Sequence, residues 1–202
     1  MKKFRTLFYR PAIDGKWIDN GIATWTKLFN LAAPNCLTCS HEEIWTPDDD
    51  GKFSNGMCWT STMGQIRSKD TIGDGTRVAP AVDILRHPER WFYCEFCVTD
   101  FGLKEMIALM QIEVDSNKGY DTAMILNFFL PLGIGAKDKW ICSEFSNHHA
   151  KIALKYSACY ENNYKVVKKI TDTMSPLRTA NFFHGCGVSM YNMDNTVLLA
   201  GK

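Results

Sequence analysis

The run Trp91-Phe-Tyr-Cys-Glu-Phe-Cys-Val98 constrains the fold most. Aromatic and β-branched residues without Gly or Pro read as a β-strand, and a strand is stable only within a sheet that has a packed face. Around it, apolar residues recur at helical spacing. Trp17, Ile18, Ile22, Trp25, Leu28 and Phe29 predict an amphipathic helix over Asp14 to Leu31. A second helix, capped by Thr99 or Asp100, buries Leu103, Met106, Ile107 and Met110. A third runs from Trp140 to about Tyr156 with Phe145, Ile152, Ala153 and Tyr156 inward, and Ser175-Pro176 opens a fourth. Arg5 to Arg10 reads as a short strand. His41 to Trp45 and Met57 to Ser61 flank a turn-rich segment and predict two antiparallel strands joined by a long hairpin. Ile66 to Lys69 extends the sheet, Gly73, Gly75 and Pro80 mark a loop, and Gly185 to Leu199 closes the chain in strand-like form. Helices at both ends with strands between them predict an α+β fold, an antiparallel sheet packed against helices. No repeat or linker divides the chain, so a single domain over residues 1–202 is expected.

Composition narrows the function classes. At 202 residues the chain is long enough to bury a core without staples. Its net charge of +1 gives no general drive toward nucleic acid or anionic membrane, so no nucleic-acid partner is expected. A mean hydropathy of -0.20 with 12% aromatics argues against a disordered chain or a membrane protein. The longest apolar stretch, Met124 to Ala136, is broken by Asn127, Pro131, Gly133 and Gly135, and falls short of the roughly 20 residues a spanning helix needs. Integral membrane insertion is therefore not expected. Arg5, Arg10 and Pro11 interrupt the first apolar run, so no export signal is read and a cytoplasmic location is expected. The 8 cysteines then read as free thiols. Two pairs, Cys36-Leu-Thr-Cys39 and Cys94-Glu-Phe-Cys97, add up formally to a four-sulfur zinc site. Neither has the flanking Gly or Pro of a zinc knuckle, and a strand sends Cys94 and Cys97 to opposite faces. Buried thiols, with no metal and no cofactor, are the expectation.

Among 5 histidines, His41 has the most telling surroundings. It opens a strand, with Glu43 two residues on and so on the same face. A carboxylate there can hold one ring nitrogen and leave the other free as a base. Cys142 is the candidate nucleophile. It lies where the chain enters the helix at Trp140, and backbone N–H groups with the positive helix end favour a thiolate there. Glu144, two residues on, partly opposes that charge. His148 and His149 are adjacent on one helix and point about 100° apart, so they cannot chelate together. A thiol at a helix start facing a strand-borne imidazole is the arrangement of thiol hydrolases. Here the histidine comes first in the chain, the reverse of the papain order.

Six short segments in sequence order carry a resemblance. They are Gly21 to Thr26; Ser40-His41-Glu42-Glu43-Ile44-Trp45; Trp59-Thr60-Ser61; Gly64 to Lys69; Gly119-Tyr120-Asp121; and Lys139-Trp140-Ile141-Cys142-Ser143-Glu144-Phe145. Together they resemble the permuted NlpC/P60 papain-like superfamily, including YiiX/YaeF-type proteins and their phage relatives, from residue 5 to about 180. The resemblance implies a circularly permuted papain-like fold with Cys142 as nucleophile and His41 as base. Glu43 fits as the third polar group, with Thr60 or Ser61 as alternatives, while Tyr120 and Asp121 read as loop anchors. Glu42 departs from the pattern, because relatives carry an apolar residue there. The implied activity is a cysteine hydrolase cutting an amide or ester through an acyl-enzyme, with a peptide, isopeptide or acyl-lipid substrate. The segment Met124 to Ile134 could line a lipid pocket, although plain core is preferred. The alternative is a catalytically silent binding or inhibitory protein on the same scaffold.

Overall fold

The computed structural model describes the backbone of residues 1–11, 17–28, 31, 33–48, 55–68, 71–123, 125 and 139–201, and the side chains of these except at 17–19, 26, 64–68 and 71–73. Seven strands form one antiparallel sheet: β1 (Lys2–Tyr9), β2 (His41–Thr46), β3 (Met57–Ser68), β4 (Thr71–Pro80), β5 (Trp91–Val98), β6 (Met190–Asn192) and β7 (Val197–Leu199), in the order β4-β3-β2-β1-β5-β6-β7. The helices are α1 (Trp17–Leu28), α2 (Ala81–Ile84), α3 (Asp100–Asp115), α4 (Cys142–Lys155), α5 (Glu161–Lys169) and α6 (Pro176–Gly185). The architecture is α+β, as composition and periodicity predict.

The sheet has a core on each face because its strands are apolar on both. Phe4 and Phe8 of β1 stack on Phe96 and Phe92 of β5 and face α3, α4, α5 and α6, which contribute Met106, Phe145, Val166 and Phe183 among others. On the opposite face Leu7, Trp45, Cys58, Trp91 and Tyr93 pack with Ala81, Leu85 and Met193. There the Arg5 guanidinium lies 4.5 Å from the Trp45 ring centroid and 4.9 Å from that of Tyr93, tethered to Glu95 at 2.9 Å. Register brings Tyr9 opposite both His41 and Trp91, so these two residues mark the same end of the sheet.

Helix boundaries follow local chemistry. The Thr99 hydroxyl accepts from the Gly102 N–H at 3.0 Å and the Ser175 hydroxyl from the Arg178 N–H at 3.4 Å, each capping the helix that follows. Gly102 also permits a close approach, because a Cβ there would stand 2.7 Å from the Ala153 carbonyl oxygen of α4.

Several expectations are corrected. The strands expected at Arg5 to Arg10 and within Gly185 to Leu199 are present as β1 and as β6 with β7, so strands rather than helices flank the rest. The loop read from Gly73, Gly75 and Pro80 is instead part of β4, whose Gly75 takes φ 121° beside an irregular register. The third helix starts at Cys142 instead of Trp140, since Trp140 is held in a parallel bridge with Tyr120 and Ile141 is the cap residue. Helix α5 was not expected, because its sequence is mostly polar. The first helix is described over Trp17–Leu28 only, and Met124 to Ile134, apart from Ile125, lies outside the described residues. Ile125 is buried with Ile22 and Ile141. No described helix is long and apolar enough to cross a membrane.

Phe183 is fully buried and meets Phe8 and Phe96 edge-on. Replacing it with Ala should cost about 3–5 kcal/mol, read as a lowered urea midpoint at unchanged slope.

Candidate functional site

The site forms at the start of β2. His41 is its first residue, with a side chain 14% exposed, and its Nε2 lies 3.0 Å from Oε1 of Glu43. The spacing of two that places both on one face of the strand is what makes this contact local. Glu43 is almost fully buried and shares the same oxygen with Nη2 of Arg77, at 2.5 Å. Arg77 comes from β4 and reaches across β3, where it is registered with Thr60. A cation, an anion and an imidazole thus line one face of three neighbouring strands. The Trp91 ring stands edge-on to His41, 6.3 Å between centroids.

Burial alone would push the Glu43 carboxyl up, but Arg77 and the His41 hydrogen bond outweigh it and hold it below the usual carboxylate range. Glu43 Oε2 and the Nε and Nη1 atoms of Arg77 lack hydrogen-bond partners. The pair is therefore not optimised for stability; its geometric effect is to orient Oε1 toward the imidazole.

Cys142 is the first residue of α4, only 5% exposed. Its sulfur is near enough to His41 to favour the charged imidazole. Since Nε2 is taken by Glu43, Nδ1 is the ring nitrogen left for the sulfur. Burial opposes the imidazolium, yet Cys142, together with Glu43, raises the His41 pKa to about 10. A raised histidine pKa stabilises the fold most fully below its unfolded value of about 6.5, and that contribution is lost as pH rises through about 10.

Neighbouring contacts fix where α4 begins. The Trp140 carbonyl accepts from Ser61 Oγ at 2.8 Å and from the Asp121 N–H at 3.0 Å, while the Trp140 N–H donates to the Gly119 carbonyl. Trp140 Nε1 donates to Glu113 at 3.2 Å. Tyr120 and Asp121 thus sit at the anchored base of a loop. Glu144, expected to oppose a thiolate, has its own pKa raised by burial, against a hydrogen bond from the Ile141 N–H at the helix start. Of the three candidates for the third polar group, Glu43 touches His41. The Thr60 hydroxyl donates to the Glu42 carbonyl at 2.8 Å, and the Ser61 hydroxyl is spent on Trp140.

Other candidates lie elsewhere. His149 is buried, bonded to the Phe145 carbonyl at 2.8 Å, and desolvation lowers its pKa to about 4. His148 faces Asp172 at 3.4 Å, and His87 is exposed beside Glu89. All eight cysteines are free. Among the described residues no group of three His, Cys, Asp or Glu side chains gathers to hold a metal. Sequence reasoning missed Arg77, because Gly73, Gly75 and Pro80 disguised its strand as a loop. It also left Glu42 as an anomaly. That carboxyl is fully buried on the opposite face of β2, neither oxygen has a hydrogen-bond partner, and burial followed by the nearby Cys142 pushes its pKa well above the usual value.

No family model, curated protein or solved structure matches this chain. The site places a thiol and a carboxylate around one imidazole, with α4 supplying N–H groups that have no intrahelical acceptor.

Removing Arg77 would leave the buried Glu43 carboxylate with His41 in place of two partners. Arg77→Met should lose about 3–5 kcal/mol of stability, and adding Glu43→Gln should restore part of that loss. A double-mutant cycle on urea midpoints measures both.

Proposed function

We propose that this protein is a cysteine hydrolase of the permuted papain-like kind, with Cys142 as nucleophile, His41 as general base and acid, and Glu43 orienting His41. One observation carries the reading: the His41 imidazole has its Nε2 held by Glu43 and the Cys142 sulfur as a neighbour that favours its charged form. That is the geometry in which an imidazole can take a proton from a thiol and keep it. The raised His41 pKa favours an imidazolium beside the sulfur at neutral pH. Arg77 acts one step back, as a positioning residue that keeps Glu43 ionised.

The reaction follows from these roles. The Cys142 sulfur attacks the carbonyl carbon of an amide or ester, and the N–H groups opening α4 receive the developing oxyanion. The His41 imidazolium gives its proton to the departing amine or alcohol, leaving a thioester on Cys142. Water then attacks the thioester with His41 as base, releasing the acid and restoring the thiol. Peptide, isopeptide and acyl-lipid carbonyls all suit this sequence of steps, and the resemblance to the NlpC/P60 group spans the same range.

Turnover of a panel of peptidyl, isopeptidyl and acyl-ester substrates tests the reading. Cys142→Ala should abolish it, His41→Ala should reduce it by about 10²–10⁴-fold, and Glu43→Gln should reduce it by less. Hydrolysis that survives Cys142→Ala would contradict the proposal. A wild-type protein inert toward the whole panel would favour a silent binding role instead.

A further inference from the structure

Two short segments close the end of the sheet where His41 stands. His87-Pro-Glu-Arg90 turns the chain into β5, with the Arg90 N–H bonded to the His87 carbonyl and the Arg10 N–H bonded to the Arg90 carbonyl at 2.7 Å. Asn192-Met-Asp-Asn-Thr196 turns β6 into β7, with Asn195 at φ 66° and its Oδ1 accepting from the Tyr93 hydroxyl at 2.7 Å. Phe92 pairs with Asn192, which brings Met193 and Asp194 beside Trp91. Between the two segments lies a groove of about 430 Å³, lined by Pro88, Glu89, Trp91, Asn192, Met193 and Asp194. That volume is in the range of ligand sites. Its floor is apolar, since Trp91 and Met193 are only 6% and 7% exposed. The groove reaches the candidate site through Trp91, whose ring stands 6.3 Å from that of His41 between centroids.

Among the described residues, the only charged side chains lining the groove are the carboxylates of Glu89 and Asp194. Asp194 is exposed, and its Oδ1 accepts from the Thr196 N–H at 2.9 Å and from the Thr196 hydroxyl at 2.6 Å, bonds that favour the ionised carboxyl and fix where it stands. Glu89 lies 3.4 Å from His87 Nδ1 and 3.9 Å from Arg90 Nε, so part of its charge is answered from outside the groove. None of the groups acting on Asp194 is a cation. We propose that this groove is a specificity subsite that takes the cationic side chain, lysine or arginine, of a peptide or isopeptide substrate. The methylene stem covers Trp91 and Met193, and the donors at its tip meet the two carboxylates. A quaternary ammonium lacks those N–H donors, which favours a peptide over a choline-type lipid head. His41 and Trp91 are two strands apart, about 10 Å across the sheet, and an extended peptide advances about 3.3 Å per residue. The basic residue therefore lies within about three residues of the carbonyl that Cys142 attacks. The inference rests on the hydrolase reading and narrows its substrate class.

The experiment measures kcat/KM on fluorogenic peptides that differ only in one residue, Lys, Arg, Met or Glu, placed up to about three positions to either side of the scissile bond. The wild type should favour Lys and Arg over Met by about three- to tenfold at one of these positions, and Met over Glu, chiefly through KM, as two exposed charge contacts allow. Added salt should shrink the preference. Asp194→Asn keeps an acceptor for Thr196, and combined with Glu89→Gln it should bring the Lys-to-Met ratio toward one. Asp194→Lys should turn the preference toward Glu. Equal kcat/KM for all four residues at every position, with turnover abolished by Cys142→Ala, would overturn the subsite and leave the hydrolase reading standing. A Lys preference that survives both substitutions, or a choline ester favoured over every Lys peptide, would overturn it as well. If no peptide is cut, the hydrolase reading fails, and equilibrium binding of the same peptides then decides the groove. Affinity that moves from Lys to Glu peptides in Asp194→Lys supports it, and affinity indifferent to that substitution overturns it.

Discussion

Glu43 carries its charge where water does not reach, and two partners have to come to it. Arg77 arrives from two strands away and His41 from two residues away, and both meet the same oxygen. A buried carboxylate without them would be protonated or the strand would not sit where it does. Much of the site's geometry follows from this one requirement. The imidazole is turned so that its second nitrogen is left for the start of α4, and β4 must lie in register with β3 for the guanidinium to reach.

The sheet supplies the frame. Its two faces have separate cores, and β2 places His41 and Glu43 toward one and Glu42 toward the other. The Cys142 sulfur acts on groups from both faces. A single alternation along β2 therefore gives the sulfur an imidazole on one side and a buried carboxyl on the other. The hydrogen bonds to the Trp140 carbonyl from β3 and from Asp121 keep the helix start at that point.

Local signals in the sequence were enough for part of this. The aromatic run at Trp91–Val98, the Thr99 and Ser175 caps, and the Ser40-His41 to Glu43 spacing all act through neighbouring residues, and each is found in the structure. What stayed hidden depends on distant partners. Strand β4 contains residues that punctuate loops, yet pairing with β3 overrides them. Arg77 could not be assigned a role until that pairing placed it beside Glu43. The start of α4 was displaced by two residues because Trp140 is used in a bridge to Tyr120, a contact with no local signature. Glu42 was visible as an exception, but only the fold shows its carboxyl fully buried on the face of β2 opposite His41.

The central claim is that the imidazole of His41 lies between the Cys142 sulfur and the Glu43 carboxylate. Nitrogen-15 chemical shifts of the labelled His41 ring, followed through pH in the wild type and in Cys142→Ala, address it most directly. The account predicts a ring protonated on both nitrogens through neutral pH, titrating near 10, and falling to a lower pKa once the sulfur is removed. A neutral wild-type ring at pH 7, or a titration indifferent to Cys142, would contradict it.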